Sequence, residues 1–296
     1  MPPIRKAIVP MAGRATRLYP LSLVLPKGLI PFVLPDNTLT TGLHLIVQPL
    51  LQAGIDQIGL VVSPDTVNLY ERFLSGEAEY LAPMLDSKPA LRAQYQRLQQ
   101  MAPHITLIAQ NQPYGLGHAV WCAYDFAKSE PVVVALGDHV CVQGVQVLEK
   151  AFQLYERYTA PIYTVHTVPL DKVSLYGILQ GQPTEVPFCY RLDCIVEKPT
   201  PEFARAQLHT PGFADDQFLA HYGVFLFPDL FWEVQAQIAK TYSPDTGEWQ
   251  LVHAQQRLLE LMPAYLLHTE APSLDFGTPE EYRDSFLKIA HGALNA

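Results

Sequence analysis

Cysteine, positive charge and long apolar runs are all scarce in this chain of 296 residues. Its four cysteines are too few for a disulfide framework, and no two of them form a Cys-x-x-Cys pair, which argues against a structural zinc site. Reduced thiols are the default in the cytoplasm, where we therefore expect the protein. Since no apolar run approaches the length of about 18 residues needed to cross a bilayer, a membrane protein is not expected.

The charge balance argues against a nucleic-acid partner. The chain has 20 basic and 29 acidic residues and a net charge of −9, whereas sequence-independent nucleic-acid binders are basic. The first 35 residues differ from the rest, because they contain five basic residues and no acidic one. Such a segment is expected to face an anion, although chance clustering on a solvated face gives the same pattern.

Apolar runs alternate with helical patterns along the chain. Residues 6–9, 58–62 and 132–136 are nearly continuous apolar runs, which are typical of parallel strands covered on both faces. Helical patterns include residues 40–53 and 118–127. The order predicts an α/β protein with a Rossmann-like, doubly wound and mostly parallel sheet. No long linker interrupts the pattern, so residues 1–296 are expected to form a single domain.

A loop of small residues follows the first predicted strand. It runs from Val9 through Gly13 to Leu18, and a Pro-Lys pair ends at Lys27. Small residues allow backbone N–H groups to approach a phosphate chain, while Arg17 and Lys27 supply charge. The loop is not a Walker A motif, because Gly13 is not followed by Gly-Lys-Ser/Thr at the required spacing.

This loop resembles the Gly-x-Gly-Thr-Arg…Pro-Lys signature of sugar-1-phosphate nucleotidylyltransferases, and in particular that of bacterial UTP–glucose-1-phosphate uridylyltransferases. Further likenesses follow in the same order over about 270 residues. The matching segments are Gln110 with Tyr114-Gly115-Leu116-Gly117-His118-Ala119-Val120, Leu136-Gly137-Asp138, Leu175-Tyr176-Gly177, Val196-Glu197-Lys198-Pro199, Gly247-Glu248-Trp249-Gln250-Leu251 and Leu274-Asp275-Phe276-Gly277-Thr278-Pro279.

The resemblance implies transfer of a nucleotidyl group from UTP to glucose 1-phosphate, giving UDP-glucose and pyrophosphate. It implies a nucleotide-binding half at residues 1–142, and a half at residues 143–296 with an added sugar-phosphate-binding lobe and C-terminal helices. It also implies Mg²⁺ as cofactor and a homo-oligomer, as in relatives. The residues that it assigns are Arg17, Lys27, Asp138 and Lys198 for catalysis, Met11, Ala12, Gly13, Gln110, Gly115 and Gly117 for the nucleotide, Tyr176, Gly177, Glu197 and Lys198 for the sugar phosphate, and Asp138 and Asp275 for the metal.

Each local pattern also has a plainer interpretation. Asp138 follows the clearest buried strand, where parallel sheets bind ligands, and a cap of the next helix is the less favoured alternative. Asp275 precedes a Gly-Thr-Pro turn and could serve the turn alone. The pair Glu197-Lys198 could be a surface ion pair. A dinucleotide site at residues 115–120 is disfavoured, because Val120 stands where the third glycine is required.

Some positions depart from the resembling family. Ala15 stands where the second glycine is usual, Gly28 and Leu23 replace a Glu and a Lys of close relatives, and His139 replaces a second Asp. These changes leave open a different base or sugar, as in a thymidylyl- or adenylyltransferase. They also leave open a catalytically weak regulatory protein that binds a sugar nucleotide.

Overall fold

A computed structural model describes residues 3–76 and 81–295. Its strands are β1 Lys6–Pro10, β2 Pro31–Val33, β3 Leu39–Thr41, β4 Gln57–Val62, β5 Ile105–Ala109, β6 Val132–Ala135, β7 His139–Cys141, β8 Ile162–Pro169, β9 Gly177–Pro183, β10 Cys189–Glu197, β11 Gln217–Phe227, β12 Tyr265–His268 and β13 Ser273–Asp275. Its α-helices are α1 Gly42–Gln52, α2 Val67–Ser75, α3 Ala82–Leu85, α4 Pro89–Met101, α5 Leu116–Trp121, α6 Tyr124–Ala127, α7 Gly144–Tyr158, α8 Pro201–Gln207, α9 Leu230–Thr241, α10 Leu251–Leu261 and α11 Pro279–Ala290.

A sheet of nine strands runs through the described residues in the order β5-β4-β1-β6-β11-β8-β12-β10-β9. Strands β5, β4, β1 and β6 are parallel, as are β8 and β12. The remaining neighbours are antiparallel: β11 with β6 and β8, and β10 with β12 and β9. The α/β prediction is confirmed, while the sheet as a whole is mixed. The short connection from β9 to β10 forms a hairpin, since a parallel pair needs a crossover of about a dozen residues or more.

Both faces of the sheet are covered, as the apolar runs predict. In β6, Val133 packs in a cluster with α1 and α7, whereas Val132 and Val134 pack in a second cluster with α5, α9 and α10. This arrangement explains why β6 has no polar residue. Since β6 pairs with β11, the sheet is continuous across the two halves of the chain.

Two local expectations differ from the structure. The helix expected at residues 118–127 is two short helices, because the chain at Ala123 has φ −91° and ψ 11° and leaves the helical conformation. The strand β12 was not predicted, since its four residues include no β-branched side chain, unlike the valine run of β6. It nevertheless joins β8 to β10 inside the sheet. None of the described helices has the length and apolar character required to cross a membrane.

Candidate active site

The loops after β1 and β6 lie against each other at the carboxyl ends of these parallel strands. A Cβ at Gly137 would lie only 2.3 Å from Pro10 O and 2.6 Å from Met11 Cγ. Position 137 therefore has no room for a side chain, and glycine lets the two loops touch. As a result, Asp138 lies beside the loop that was predicted to bind phosphate.

Asp138 forms an ion pair with Lys27 across this contact. Lys27 belongs to a short 3₁₀ turn, Lys27–Leu29, and only 16% of its side chain is exposed. Its Nζ also lies 5.9 Å from the centre of the Phe276 ring. The Pro-Lys pair of the first loop is thereby joined to the end of β6, although the two are more than 100 residues apart in the chain.

Asp275 joins the same cluster through a two-stranded sheet. Strands β7 and β13 pair so that Asp275 lies opposite His139. His139 Nε2 is 3.4 Å from Asp275 Oδ2 and 3.7 Å from Asp138 Oδ1, and its Nδ1 is hydrogen-bonded to Ser273 Oγ at 3.1 Å. Asp275 Oδ1 accepts a hydrogen bond from the Gly277 N–H at 2.6 Å. One atom from each of Asp138, His139 and Asp275 lies within 4.8 Å of the others.

The two carboxylates differ in their pKa shifts. Burial raises the pKa of Asp275, and the charges of Asp138 and Glu281 raise it further against the opposing effect of His139. Burial also disfavours ionisation of Asp138, but His139 and Lys27 outweigh it and hold the pKa of Asp138 below its usual range. Two carboxylates and an imidazole are a donor set that suits a divalent cation, whose charge would offset their mutual repulsion. The residues present therefore fit a metal ion.

A cavity of about 600 Å³ opens next to this cluster, a volume within the range of small-molecule sites. Arg14 and Lys27 contribute positive charge to its lining, whereas Arg17 is exposed in the turn Thr16–Leu18 and lies outside the lining. The lining residues are Met11, Gly13, Arg14, Ala15, Thr16, Tyr19, Ser22, Leu23, Val24, Leu25, Pro26, Lys27, Ser63, Asp65, Thr66 and Leu69.

The first residues of the loop after β1 are fixed by contacts with neighbouring elements of the fold. Met11 and Ala12 are buried, and the Met11 N–H donates to Val61 O at 2.7 Å, so this donor is already engaged in the fold. A Cβ at Gly28 would lie 2.3 Å from Met11 Sδ and 2.7 Å from the Tyr70 hydroxyl, which accepts a hydrogen bond from the Gly28 N–H. The buried Tyr70 side chain thus fills the space of a side chain at position 28, which explains why glycine stands where the resembling family usually has Glu.

The segment with Gly115 and Gly117 packs against the chain just before α10. A Cβ at Gly115 would lie 2.6 Å from Trp249 O, and one at Gly117 would lie 2.5 Å from Trp249 Cδ1. The Gly117 N–H donates to Trp249 O at 2.8 Å. Gln110 is buried, and its Nε2 lies 3.1 Å from Gly115 O and 2.9 Å from His118 Nδ1. Packing alone therefore requires glycine at both positions.

The predicted sugar-phosphate residues come together on the β9–β10 hairpin. Gly177 lies opposite Glu197, and the Lys198 N–H donates to Tyr176 O at 3.0 Å. Lys198 has φ 47°, a left-handed conformation that is rare outside glycine. Its Nζ is 3.5 Å from Glu197 Oε1. Burial raises the pKa of Tyr176, and the charge of Asp275 adds to the effect, so the hairpin lies within electrostatic reach of the carboxylate cluster.

Three residues of this region were not assigned from the sequence. Arg14 belongs to the positive N-terminal segment, which was a usable signal. His139 directly follows Asp138, but only the β7–β13 pairing directs it toward Asp275. His221 lies beside Gly177 and Glu197, and nothing in its local sequence marks it.

Comparison with known proteins identifies one matching family and several relatives. The family described as nucleotidyl transferase matches residues 6–292. A UTP–glucose-1-phosphate uridylyltransferase of Bacillus subtilis is 28% identical over 315 residues, covering 100% of this chain and 99% of the relative. One from Streptococcus pneumoniae is 33% identical over 280 residues, covering 93% of this chain and 86% of the relative. The structure of a UTP-bound UGPase from Acinetobacter baumannii superposes with a TM-score of 0.76 at 24% identity, covering 96% of this chain and 92% of the other, so the fold is shared.

Proposed function

Since this chain belongs to the nucleotidyl transferase family, we propose that it transfers the uridylyl group of UTP to glucose 1-phosphate, giving UDP-glucose and pyrophosphate. One observation at the candidate active site gives this proposal its main structural support. Lys27, Asp138 and Asp275 converge beside a cavity lined by the loop of small residues and Arg14. This combination suits a triphosphate, which needs positive charge, backbone access and carboxylates that can hold a cation.

The reaction needs no protein base. The attacking oxygen belongs to a phosphate monoester, whose second pKa is about 6, so it is anionic at pH 7. The protein therefore has to orient two anions for in-line attack at the α-phosphorus and to offset their charge. A cluster of Lys, Arg and carboxylates is consistent with this requirement.

The residues divide between the two substrates. Lys27 and Arg17 act on the triphosphate and the leaving pyrophosphate, and Lys198 orients the phosphate of the sugar. The groups that hold the base and the phosphates are Met11, Ala12, Gly13, Gln110, Gly115 and Gly117. Tyr176, Gly177 and Glu197 hold the sugar. Arg17 is exposed, so we expect it to close on the phosphates only when they are bound.

Asp138 and Asp275 are proposed to hold Mg²⁺, whose ligands are oxygens of this kind. When bound, the ion offsets negative charge on the reacting phosphates. His139 and Lys27 hold the pKa of Asp138 below its usual range, so this carboxylate is ionised and can bind a cation.

We further propose that residues 1–142 and 143–296 act as two halves of a single domain, since β6 and β11 pair across the boundary. The four free cysteines are consistent with a cytoplasmic location. A homo-oligomer stays a prediction, which light scattering on the purified protein would test.

The test of the proposed function is pyrophosphate release with glucose 1-phosphate and Mg²⁺, comparing UTP with dTTP, ATP, CTP and GTP. We expect release with UTP and its loss on chelation of the metal. Asp138→Ala should lower turnover more than a hundredfold while the protein stays folded, because a proposed metal ligand is gone. Glu149→Ala, an exposed carboxylate on α7, is the matched control and should keep full activity.

Two results would count against these assignments. Retention of a tenth of the wild-type rate in Asp138→Ala would remove Asp138 from the metal role. Release with another nucleotide in preference to UTP would keep the chemistry and change the substrate.

A further inference from the structure

His221 lies on β11 next to the residues proposed to hold the sugar. A Cβ built on Gly177 would lie 2.9 Å from His221 Cδ2, 3.4 Å from His221 Nε2 and 2.9 Å from Glu197 Oε2. The edge of the imidazole and the carboxylate therefore flank the same glycine. A side chain at position 177 would overlap both groups, so glycine allows the imidazole and the carboxylate to lie close together beside the backbone.

The local shape of β11 directs this side chain. The register between β11 and β8 shifts between His221 and Phe225, and Gly223 within that interval has φ 112°. Such irregularities in a strand commonly re-aim a side chain next to an active site. A Cβ at Gly223 would lie 2.9 Å from the Cβ of His139. The same irregularity therefore brings β11 against the cluster of Asp138, His139 and Asp275.

The imidazole of His221 is neutral at physiological pH. Burial lowers its pKa to about 3, and the nearby His139 and His166 contribute to the shift. A neutral imidazole carries one donor and one acceptor and has no charge with which to compete for the phosphate near Lys198. Its Nδ1 is buried without a hydrogen-bond partner among the described residues, and the Gln255 side chain on α10 is close enough to influence its pKa.

We propose that His221 is a specificity-determining residue that binds the hexose through its Nε2 edge, next to Glu197. The inference rests on the proposed function, since it supplies the sugar contact of the same site. A carboxylate only accepts hydrogen bonds, whereas a protonated Nε2 donates. Two neighbouring sugar hydroxyls can therefore be bound with opposite hydrogen-bond directions. One hydroxyl donates a hydrogen bond to Glu197, and the other accepts one from His221.

The test compares binding of UDP-glucose with binding of UDP by calorimetry in the wild type and three variants. His221→Phe keeps a ring and removes both nitrogens, so it should weaken UDP-glucose binding about tenfold and leave UDP binding unchanged. His221→Gln should recover most of the loss, because its terminal amide reaches the position of Nε2. His221→Asn is the matched control and should not recover it, because its amide reaches only the position of Nδ1.

A second arm identifies the sugar contact. It uses UDP-glucose analogues that each lack one ring hydroxyl. The analogue that lacks the hydroxyl bound by His221 should bind the wild type more weakly than UDP-glucose does. The same analogue should cost His221→Phe nothing further, because the partner of that hydroxyl is already absent.

The outcomes separate the two proposals. Equal UDP-glucose affinity in wild type and His221→Phe overturns the role of His221 alone. A parallel loss of UDP affinity in His221→Phe shows a structural role and also overturns it, as does equal affinity of the Gln and Asn variants. A wild-type protein that binds UDP-glucose no more tightly than UDP overturns the sugar assignment of the proposed function itself.

Discussion

At the scale of single residues, Ala15 shows how this chain departs from the family pattern. It has φ 47° and ψ 43°, a left-handed conformation, at the point where the loop enters the turn Thr16–Leu18. An L-residue with a Cβ in this region costs roughly 1–2 kcal/mol, and glycine avoids that cost. The resembling family usually has glycine here, so the backbone shape has been kept while the residue has changed.

We expect Ala15→Gly to raise the free energy of unfolding by about 1 kcal/mol or less, because the relief of strain exceeds the entropy that glycine adds to the unfolded chain. Urea unfolding measures this value. Thr159→Gly is a matched control, since Thr159 is exposed, lies far along the chain at the end of α7 and has φ 47°. It should show a gain of the same sign. A loss of stability in Ala15→Gly would mean that the methyl group contributes packing that outweighs its strain.

At the scale of elements, close approaches between segments decide where the side chains of the site lie. The pairing of β7 with β13 sets Asp275 opposite His139, and the contact between α5 and the chain before α10 holds Gly115 near Gln110. Trp249 is buried at that second contact, where its Nε1 donates to Gln235 Oε1 at 3.1 Å. The segment proposed to bind the nucleotide is thus positioned by a residue from the second half of the chain.

We expect Gly117→Ala to lower the free energy of unfolding by about 1–3 kcal/mol, because the new methyl group would overlap Trp249 and the backbone of Gln250. It should also raise KM for the nucleotide, since α5 must move away from α10. Thermal unfolding followed by tryptophan fluorescence measures the first effect. For stability, Gly13→Ala is the control, because no atom lies within 4 Å of a Cβ built there. Equal unfolding temperatures for both variants would contradict the packing argument.

At the scale of the whole molecule, buried histidines make stability depend on pH. Burial lowers the pKa of five of them, namely His44, His118, His166, His221 and His268. The folded protein therefore binds fewer protons than the unfolded chain, whose histidines titrate near 6.5. This contribution to stability is fully present above pH 6.5. It is lost as the pH falls toward the folded values, which are about 4 for His166 and about 3 for His221.

We expect the wild type to lose stability between pH 7 and pH 5, and His166→Gln to lose less. His166 alone accounts for a difference of about 2 kcal/mol over this range, since each pKa unit corresponds to about 1.4 kcal/mol. Urea unfolding of both proteins at the two pH values gives the comparison. Identical losses would show that His166 is already protonated in the folded state at pH 5.

The sequence by itself determined the α/β class and the positions of the strongest strands. The continuous apolar run of β6 required cover on both faces, and Asp138 had to follow it at the ligand-binding edge of the sheet. The motif order also led to the family, because Arg17, Lys27 and Asp138 stand at recognisable spacings. These features depend on local periodicity and on the order of motifs along the chain, both of which can be recognised in the sequence alone.

Only the tertiary structure decided which distant residues meet. Strand β11, which is antiparallel to β6 and β8, and the hairpin of β9 and β10 make the sheet mixed, since the periodicity of a single strand does not show the direction of its neighbours. His221 could not be identified from the sequence for a similar reason. It lies beside Glu197 and Gly177 because β11 pairs with β9, a strand that is distant from it in the chain. The presence of glycine at position 28 is explained only by its contact with the buried Tyr70 side chain. A contact between residues far apart in sequence depends on the packing of every element between them, so no local pattern encodes it.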